Sequence, residues 1–170
     1  MKALETADGA RLVWHDWGTG GGAGPVLVAL HAHTGTGAQF RPLAAALPGW
    51  RVIAPDRRGY GGSTRGRAYD AVTQAEDLAQ VLEACGTGRA LVLGLAAGGA
   101  CAGAFAARWP ERVAALVLAC SFLGQPAGFW GGEPPGGTPE ERELSPAFRA
   151  APAAGEWRAQ VAANRAQGAG

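Results

Sequence analysis

Residues 90–98 read A-L-V-L-G-L-A-A-G, and this stretch decides the fold. It joins a short apolar run, the pattern of a strand buried on both faces, to a helix of small residues that continues to Trp109. Gly94 and Gly98 stand two residues before and two residues after Ala96, at the junction of the strand and the helix. Small residues at these two positions predict a strained turn that pushes residue 96 away from the sheet.

Strands and helices alternate on both sides of this stretch. The predicted strands are 26–30, 51–55, 90–95 and 113–119, and the predicted helices are 39–47, 98–109 and one that begins at a Thr73–Glu76 capping box and ends at Gly86. This alternation predicts an α/β fold, with a mostly parallel sheet and flanking helices. Residues 2–6 and 11–17 flank an Asp8-Gly9 turn and predict an N-terminal β-hairpin.

Ligands of such sheets bind beyond the carboxyl ends of the strands, so the segments that follow the strands hold the candidate site residues. After the first parallel strand, residues 31–37 read H-A-H-T-G-T-G. After the second, residues 56–63 read D-R-R-G-Y-G-G-S, and after the third comes the G-L-A-A-G of residues 94–98.

In this order and spacing, the three segments resemble those of the α/β-hydrolase family. Its members show H-G-x-x-G, D-x-x-G-x-G-x-S and G-x-S-x-G after successive strands, and the likeness runs from about residue 2 to residue 123. The resemblance implies a partial α/β-hydrolase fold with the start of a helical cap. It also implies a relationship to hydrolases that act on small-molecule esters, amides or lactones.

The resemblance gives each candidate residue a role. Ala96 occupies the nucleophile position of the nucleophile elbow, and the backbone N–H groups of His33 and Ala97 are the implied oxyanion hole. Three glycines shape the elbow and the first loop, and two residues at strand ends are structural; these are Gly35, Gly94, Gly98, His31 and Asp56.

Three departures from the family pattern bear on activity. A methyl group at Ala96 cannot attack a carbonyl, and Ala32 adds a Cβ where the family has glycine beside the oxyanion hole. The family also places its acid and its base histidine on later strands, but no His follows His33 and no Asp follows Asp77. We therefore expect a chain truncated before those strands, and a protein that is inactive or severely impaired as a hydrolase.

Two other functions stay open. The same fold could serve as a non-catalytic ligand-binding or interaction protein, with a small acyl or ester molecule as its ligand. Less favoured is a cofactor-free, non-hydrolytic enzyme. We expect no cofactor in any of these cases.

Some residues allow a second interpretation. His31 and His33 could be two metal ligands, although no third ligand is near in sequence, and no metal site is expected. Cys120 or Ser121 could replace the missing nucleophile, but an inert side chain is favoured. A basic cluster could attract an anionic ligand, but a solvated loop face is favoured for it; its members are Arg57, Arg58, Arg65 and Arg67.

The apolar residues indicate the organisation of the chain. Residues 1–123 form the predicted hydrolase core, residues 124–139 a Gly/Pro-rich loop, and residues 140–170 a partial cap or a weakly ordered helical tail. Without further strands, Val113–Ala119 is an apolar edge, which is an association hazard unless it is covered. We expect the tail, a second copy or another partner to cover it.

Composition excludes other classes of protein. A net charge of +1 with 17% charged residues gives no basic surface for nucleic acid. No apolar run reaches the ~18 residues of a membrane span, and the first residues lack a signal sequence, so a cytoplasmic location is expected. Cys85, Cys101 and Cys120 have no short spacing, which favours buried thiols over disulfides or zinc ligands.

Overall fold

The computed structural model describes residues 1–18, 24–64 and 69–121. All of them belong to one compact unit, Met1–Pro126. A second unit, Ala127–Gly170, lies outside the described residues, as do the predicted loop 124–139 and tail 140–170.

Six strands form one mixed sheet. They are β1 (Lys2–Glu5), β2 (Arg11–Trp17), β3 (Val26–Leu30), β4 (Arg51–Asp56), β5 (Ala90–Leu95) and β6 (Val113–Ala119). Their order across the sheet is β1-β2-β4-β3-β5-β6. The hairpin β1–β2 joins β4 in antiparallel pairing, and β3 to β6 are parallel. The predicted α/β fold, with its hairpin and four parallel strands, is confirmed.

Helices pack on both faces of the sheet. They are α1 (Arg41–Ala45), α2 (Ala71–Ala84) and α3 (Gly98–Arg108), with short 3₁₀ turns at Gly37–Phe40 and Pro110–Arg112. Successive residues of β3 show the two faces, because Val28 packs in the larger core with α2 and α3, whereas Ala29 packs with Phe40 on the opposite side. Within the described ranges, no helix is long and apolar enough to cross a membrane.

Two predicted helix starts are wrong. α2 begins at Ala71 rather than at a Thr73–Glu76 capping box, because the Asp70 carboxylate accepts hydrogen bonds from the N–H groups of Val72 and Thr73, at 3.0 and 2.9 Å. The first predicted helix, 39–47, divides into the 3₁₀ turn and the five-residue α1.

β6 is the edge of the sheet among the described strands. It pairs with β5 on one side, and Leu116 and Val117 are 37% and 44% exposed. An uncharged apolar strand at an edge invites pairing with another chain or segment. The cover that the sequence leads us to expect stays a prediction.

The expectation of a solvated basic loop is wrong for the two arginines that the structure describes. Arg57 and Arg58 are only 4% and 3% exposed. Two nitrogens of Arg58 donate to the Asp77 carboxylate, at 2.8 and 2.7 Å, and a third donates to Asp8 at 2.6 Å. A buried guanidinium requires such partners. The pair with Asp77 attaches the 56–63 loop to α2, and the pair with Asp8 attaches it to the turn between β1 and β2. Arg65 and Arg67 lie outside the described residues.

Removing the buried partner of Arg58 is expected to destabilise the protein. Asp77→Ala leaves a desolvated guanidinium without its bidentate carboxylate, and we expect a loss of about 3 kcal/mol. The adjacent Glu76 is a matched control, because its ion pair with Arg108 is exposed on both sides. Glu76→Ala should cost less than about 1 kcal/mol. Urea unfolding of both variants measures the difference, and equal losses would contradict the role assigned to the buried pair.

Candidate active site

The turn from β5 to α3 has the strained geometry predicted for residue 96. Ala96 has φ +49°, in the left-handed region that residues with a Cβ seldom adopt. Its N–H donates to the carbonyl oxygen of Ala119 at 2.9 Å, and its own carbonyl accepts from the N–H of Gly99 at 2.9 Å. The chain therefore reverses sharply at Ala96, with the residue at the apex between strand and helix.

Close packing explains the glycines on either side of this apex. A Cβ on Gly94 would lie 2.6 Å from the Cα of Gly99. A Cβ on Gly98 would lie 2.4 Å from the carbonyl oxygen of Leu30 and 2.8 Å from that of His31. Backbone atoms cannot give way at such distances, so the start of α3 lies directly against the end of β3. This contact brings the elbow and the 31–37 loop together.

His31 is a buried anchor of that loop. Its Nδ1 donates to the carbonyl oxygen of Ala32 at 2.7 Å, and its Nε2 accepts from the N–H of Arg57 at 2.8 Å. The two contacts define the neutral tautomer with the proton on Nδ1. Because burial disfavours the charged ring, the pKa of His31 falls to about 4. With both nitrogens engaged, His31 is not placed to ligate a metal.

The peptide between Ala32 and His33 has a fixed orientation. The Ala32 carbonyl accepts from the His31 ring and, at 3.2 Å, from the N–H of Gly35. A trans peptide directs its N–H opposite to its carbonyl, so the N–H of His33 faces away from this turn. Ala32 has no left-handed φ, since Ala96 and Cys120 are the residues other than glycine with that conformation in the described ranges. The added Cβ of Ala32 therefore creates no backbone strain.

Asp56, at the end of β4, joins two loops. Its carboxylate accepts from the N–H of Gly37 at 2.7 Å and from that of Gly62 at 2.8 Å. A Cβ on Gly61 would lie 2.2 Å from Asp56 Oδ2, so the loop closes tightly around the buried carboxylate. His15 Nε2 lies 3.7 Å from Asp56 Oδ1. These contacts are those of a residue that orders loops.

The residue beside Ala96 in the sheet is Cys120. Leu95 pairs with Ala119 in parallel register, so residues 96 and 120 are the first residues after the ends of two neighbouring strands. Cys120 is also left-handed, with φ +51°. The expectation of three buried thiols is wrong, because Cys120 is exposed and Cys85 half-buried, while Cys101 is buried. Cys120 directly follows β6, the edge strand among those described, whose own residues are exposed or half-buried.

Two further residues contact the site: Ser121, which the sequence suggested only as a substitute nucleophile, and Tyr60, which it did not single out. Ser121 Oγ donates to the carbonyl oxygen of Gly94 at 2.9 Å, which ties the end of β6 to the elbow. A 2.8 Å hydrogen bond joins the Tyr60 hydroxyl to Nδ1 of His33. The one sequence signal for Tyr60 is its place between two glycines of the 56–63 loop.

The structure thus brings together the elbow, the 31–37 loop and the 56–63 loop at the carboxyl edge of the sheet. All eight predicted site residues lie in these segments or at their ends. In the ranges that the structure describes, no group of three His, Cys, Asp or Glu side chains could hold a metal ion. A left-handed residue at the apex between β5 and α3 has the strand–turn–helix geometry of a nucleophile elbow, with a methyl group as the side chain at the apex.

Comparisons with known proteins agree with this architecture. The family model for the alpha/beta hydrolase fold matches residues 25–159. Lipase 1 of Psychrobacter immobilis is 33% identical over 133 residues, which cover 76% of this chain and 40% of the lipase. The non-heme chloroperoxidase of Streptomyces lividans is 32% identical over 169 residues, covering 98% of this chain and 56% of that protein. A solved hydrolase structure from Pseudomonas aeruginosa has a TM-score of 0.68 at 31% identity, over 76% of this chain and 49% of that chain.

The chain belongs to the α/β-hydrolase family, and the resemblance first seen in three sequence segments is confirmed. Its relatives include lipases and other hydrolases. The chain spans about half the length of the relatives it matches.

The left-handed apex predicts an unusual effect of glycine on stability. Ala96→Gly should stabilise the protein by about 1 kcal/mol, because glycine adopts positive φ without a Cβ penalty. Ala107→Gly, at an exposed position of α3, should instead destabilise it by about 0.5–1 kcal/mol. Chemical unfolding of both variants checks the opposite signs. A loss for Ala96→Gly as large as that for Ala107→Gly would show that residue 96 has an ordinary backbone.

His31 predicts how stability varies with pH. The folded pKa of about 4 lies below the ordinary value of 6.5, so the unfolded state binds the proton more readily between them. The neutral His31 ring therefore contributes its full stabilisation of the folded protein above pH 6.5. As the pH falls towards 4, the free energy of unfolding decreases by about 3 kcal/mol. His31→Gln keeps an acceptor for the Arg57 N–H but removes the titration. Unfolding free energies from pH 7 to 4 should fall more steeply for the native chain, and parallel curves would contradict this assignment.

Proposed function

We propose that this protein is an α/β-hydrolase homologue, of the ester, amide or lactone type, that is inactive or severely impaired as a hydrolase. One observation carries the proposal: the elbow keeps its strained geometry at Ala96, where the side chain is a methyl group. A methyl group has no lone pair with which to attack an acyl carbon and no proton to give to a base.

The rest of the scaffold supports binding without chemistry. Helix α3 begins at Gly98, so the N–H groups of Ala97 and Gly98 have no acceptor within the helix, whereas those of Gly99 and Ala100 donate to the carbonyl oxygens of Ala96 and Ala97. The His33 N–H faces away from its own turn, and the contact at Gly98 places both segments at one edge. Backbone donors of this kind survive the loss of a nucleophile. In a serine protease without its triad, the donors and binding alone leave roughly 10³–10⁴-fold catalysis over water.

The histidines of the described segments do not supply an evident base. His31 uses both nitrogens in structural hydrogen bonds, and His33 is tied to Tyr60 through Nδ1. His15 lies on β2, stacked on Trp17 at 5.1 Å between ring centroids. An enzyme that works through the elbow needs a base that takes the proton of its nucleophile, and neither the nucleophile nor its base is evident here.

A non-catalytic ligand-binding protein is the second candidate. The left-handed apex and the close contact at Gly98 favour it, because neither of them depends on a nucleophilic side chain. The ligand class would be a small acyl or carboxylate molecule, whose oxygen accepts from the backbone N–H groups of His33 and Ala97. Measurable affinity without turnover distinguishes this candidate from an enzyme.

Ester hydrolysis tests the proposal. We expect no saturable turnover of p-nitrophenyl acetate or butyrate by the native chain, and little by Ala96→Ser alone. A chimera that joins the Ala96→Ser chain to the remaining carboxyl-terminal part of the Psychrobacter lipase should hydrolyse both esters. The same chimera with Ala96 should be slower by roughly 10⁶-fold, the cost of removing a nucleophile in a serine protease.

The alanine chimera is also the folding control, since circular dichroism must give the same spectrum for both chimeras. Saturable turnover by the native chain, well above buffer, would contradict the proposal. It would show that the chemistry lies elsewhere, at Cys120, at Ser121 or at the histidines of the 31–37 loop.

A further inference from the structure

We propose that Tyr60 is a positioning residue: through His33 it holds the N–H of the Ala32–His33 peptide in place beside the start of α3. This inference rests on the proposed function, in which that N–H binds an oxygen of the ligand. It assigns a role to the loop after β4 that is separate from the elbow itself.

Tyr60 contacts both histidines of the 31–37 loop. Its hydroxyl is 2.8 Å from Nδ1 of His33. Its ring meets the His31 ring edge-on, with 5.0 Å between centroids and 71° between planes. The Arg57 guanidinium lies over the same ring, 4.7 Å from its centroid. The phenol is therefore fixed by a hydrogen bond at one end and by ring contacts along its body.

The backbone beneath Tyr60 is equally constrained. The N–H of Tyr60 donates to the carbonyl of Arg57, and its carbonyl accepts from the N–H of Ser63, both at 2.9 Å. The neighbouring Gly59 and Gly61 have φ of +84° and +54°, which permit this compact loop. Tyr60 thus projects from a rigid base, and its hydroxyl has a defined position.

Three attachments from the 56–63 loop then hold the 31–37 loop along its length. Arg57 N–H binds His31 at the start, Tyr60 binds His33 in the middle, and Asp56 binds the N–H of Gly37 at the end. The first and last attachments fix the ends of the loop. The middle one acts on the residue whose N–H is the proposed donor to the ligand.

The carbonyl side of the Ala32–His33 peptide is held by His31 and Gly35, whereas the His33 side chain is held by Tyr60. Rotation of this peptide would change the direction of the His33 N–H. Because the Tyr60 hydrogen bond resists movement of His33, we expect the hydroxyl to increase the affinity for the ligand. We expect it to contribute little to stability, since the ends of the loop are already fixed.

The experiment removes one oxygen atom. Tyr60→Phe keeps the ring contacts and deletes the hydroxyl, and Tyr69→Phe makes the same change at the other tyrosine of the chain. The Tyr69 ring packs against Gly59. NMR on the full ¹⁵N-labelled chain gives the His33 ring-nitrogen and amide resonances, and titration with sodium butyrate gives a dissociation constant. Thermal unfolding reports on stability.

We expect Tyr60→Phe to shift the His33 ring and amide resonances and to weaken butyrate binding by about 3–10-fold, the effect of one hydrogen bond. Its unfolding temperature should stay close to the native value, and Tyr69→Phe should bind butyrate as the native chain does. Unchanged butyrate affinity in Tyr60→Phe would overturn the inference, even if the ring resonances move, because the hydroxyl would then be a structural tether only.

The proposed function and this inference can fail separately. Absence of butyrate binding by the native chain would contradict the binding role of the site. The His33 amide resonance then decides the inference alone: a displaced amide in Tyr60→Phe supports positioning by the hydroxyl, and an unmoved amide overturns it.

Discussion

The close contact between the start of α3 and the end of β3 is the constraint on which the site depends. Gly98 has no Cβ, and the carbonyl oxygens of Leu30 and His31 occupy the space that a Cβ would need. This contact determines where the helix begins, forces the left-handed turn at Ala96, and brings the 31–37 loop beside the elbow. Any side chain at residue 98 would separate the two halves of the site.

Buried polar groups hold the remaining loop against this contact. Asp56 and His31 are each nearly inaccessible, and both accept hydrogen bonds from backbone N–H groups of neighbouring loops. Arg58 carries the loop after β4 onto α2 through its ion pair with Asp77. Buried groups that are fully paired specify one arrangement, because each alternative leaves a charge or a donor without a partner. The loops thus have one favoured arrangement although they lie outside the regular elements.

Sequence patterns predict most of this fold because local rules govern it. The runs at 90–95 and 113–119 match β5 and β6 to the residue, since each is a continuous apolar stretch that begins directly after an arginine. The predictions that were wrong concern residues whose environment depends on tertiary contacts. Asp70 outcompetes Thr73 as the helix cap through its carboxylate, and the buried Arg57 and Arg58 depend on partners about 20 residues away. The Tyr60–His33 bond joins residues 27 apart, which no spacing rule indicates.

The absence of a nucleophile from the elbow can be tested on the chain itself. Native protein is incubated with p-nitrophenyl butyrate, the reaction is quenched, and the mass of the intact protein is measured by mass spectrometry. We predict the unmodified mass, because Ala96 can form no acyl intermediate and the neighbouring Cys120 and Ser121 have no evident base. A stoichiometric butyryl adduct, located by peptide mapping at Cys120 or Ser121, would contradict the account.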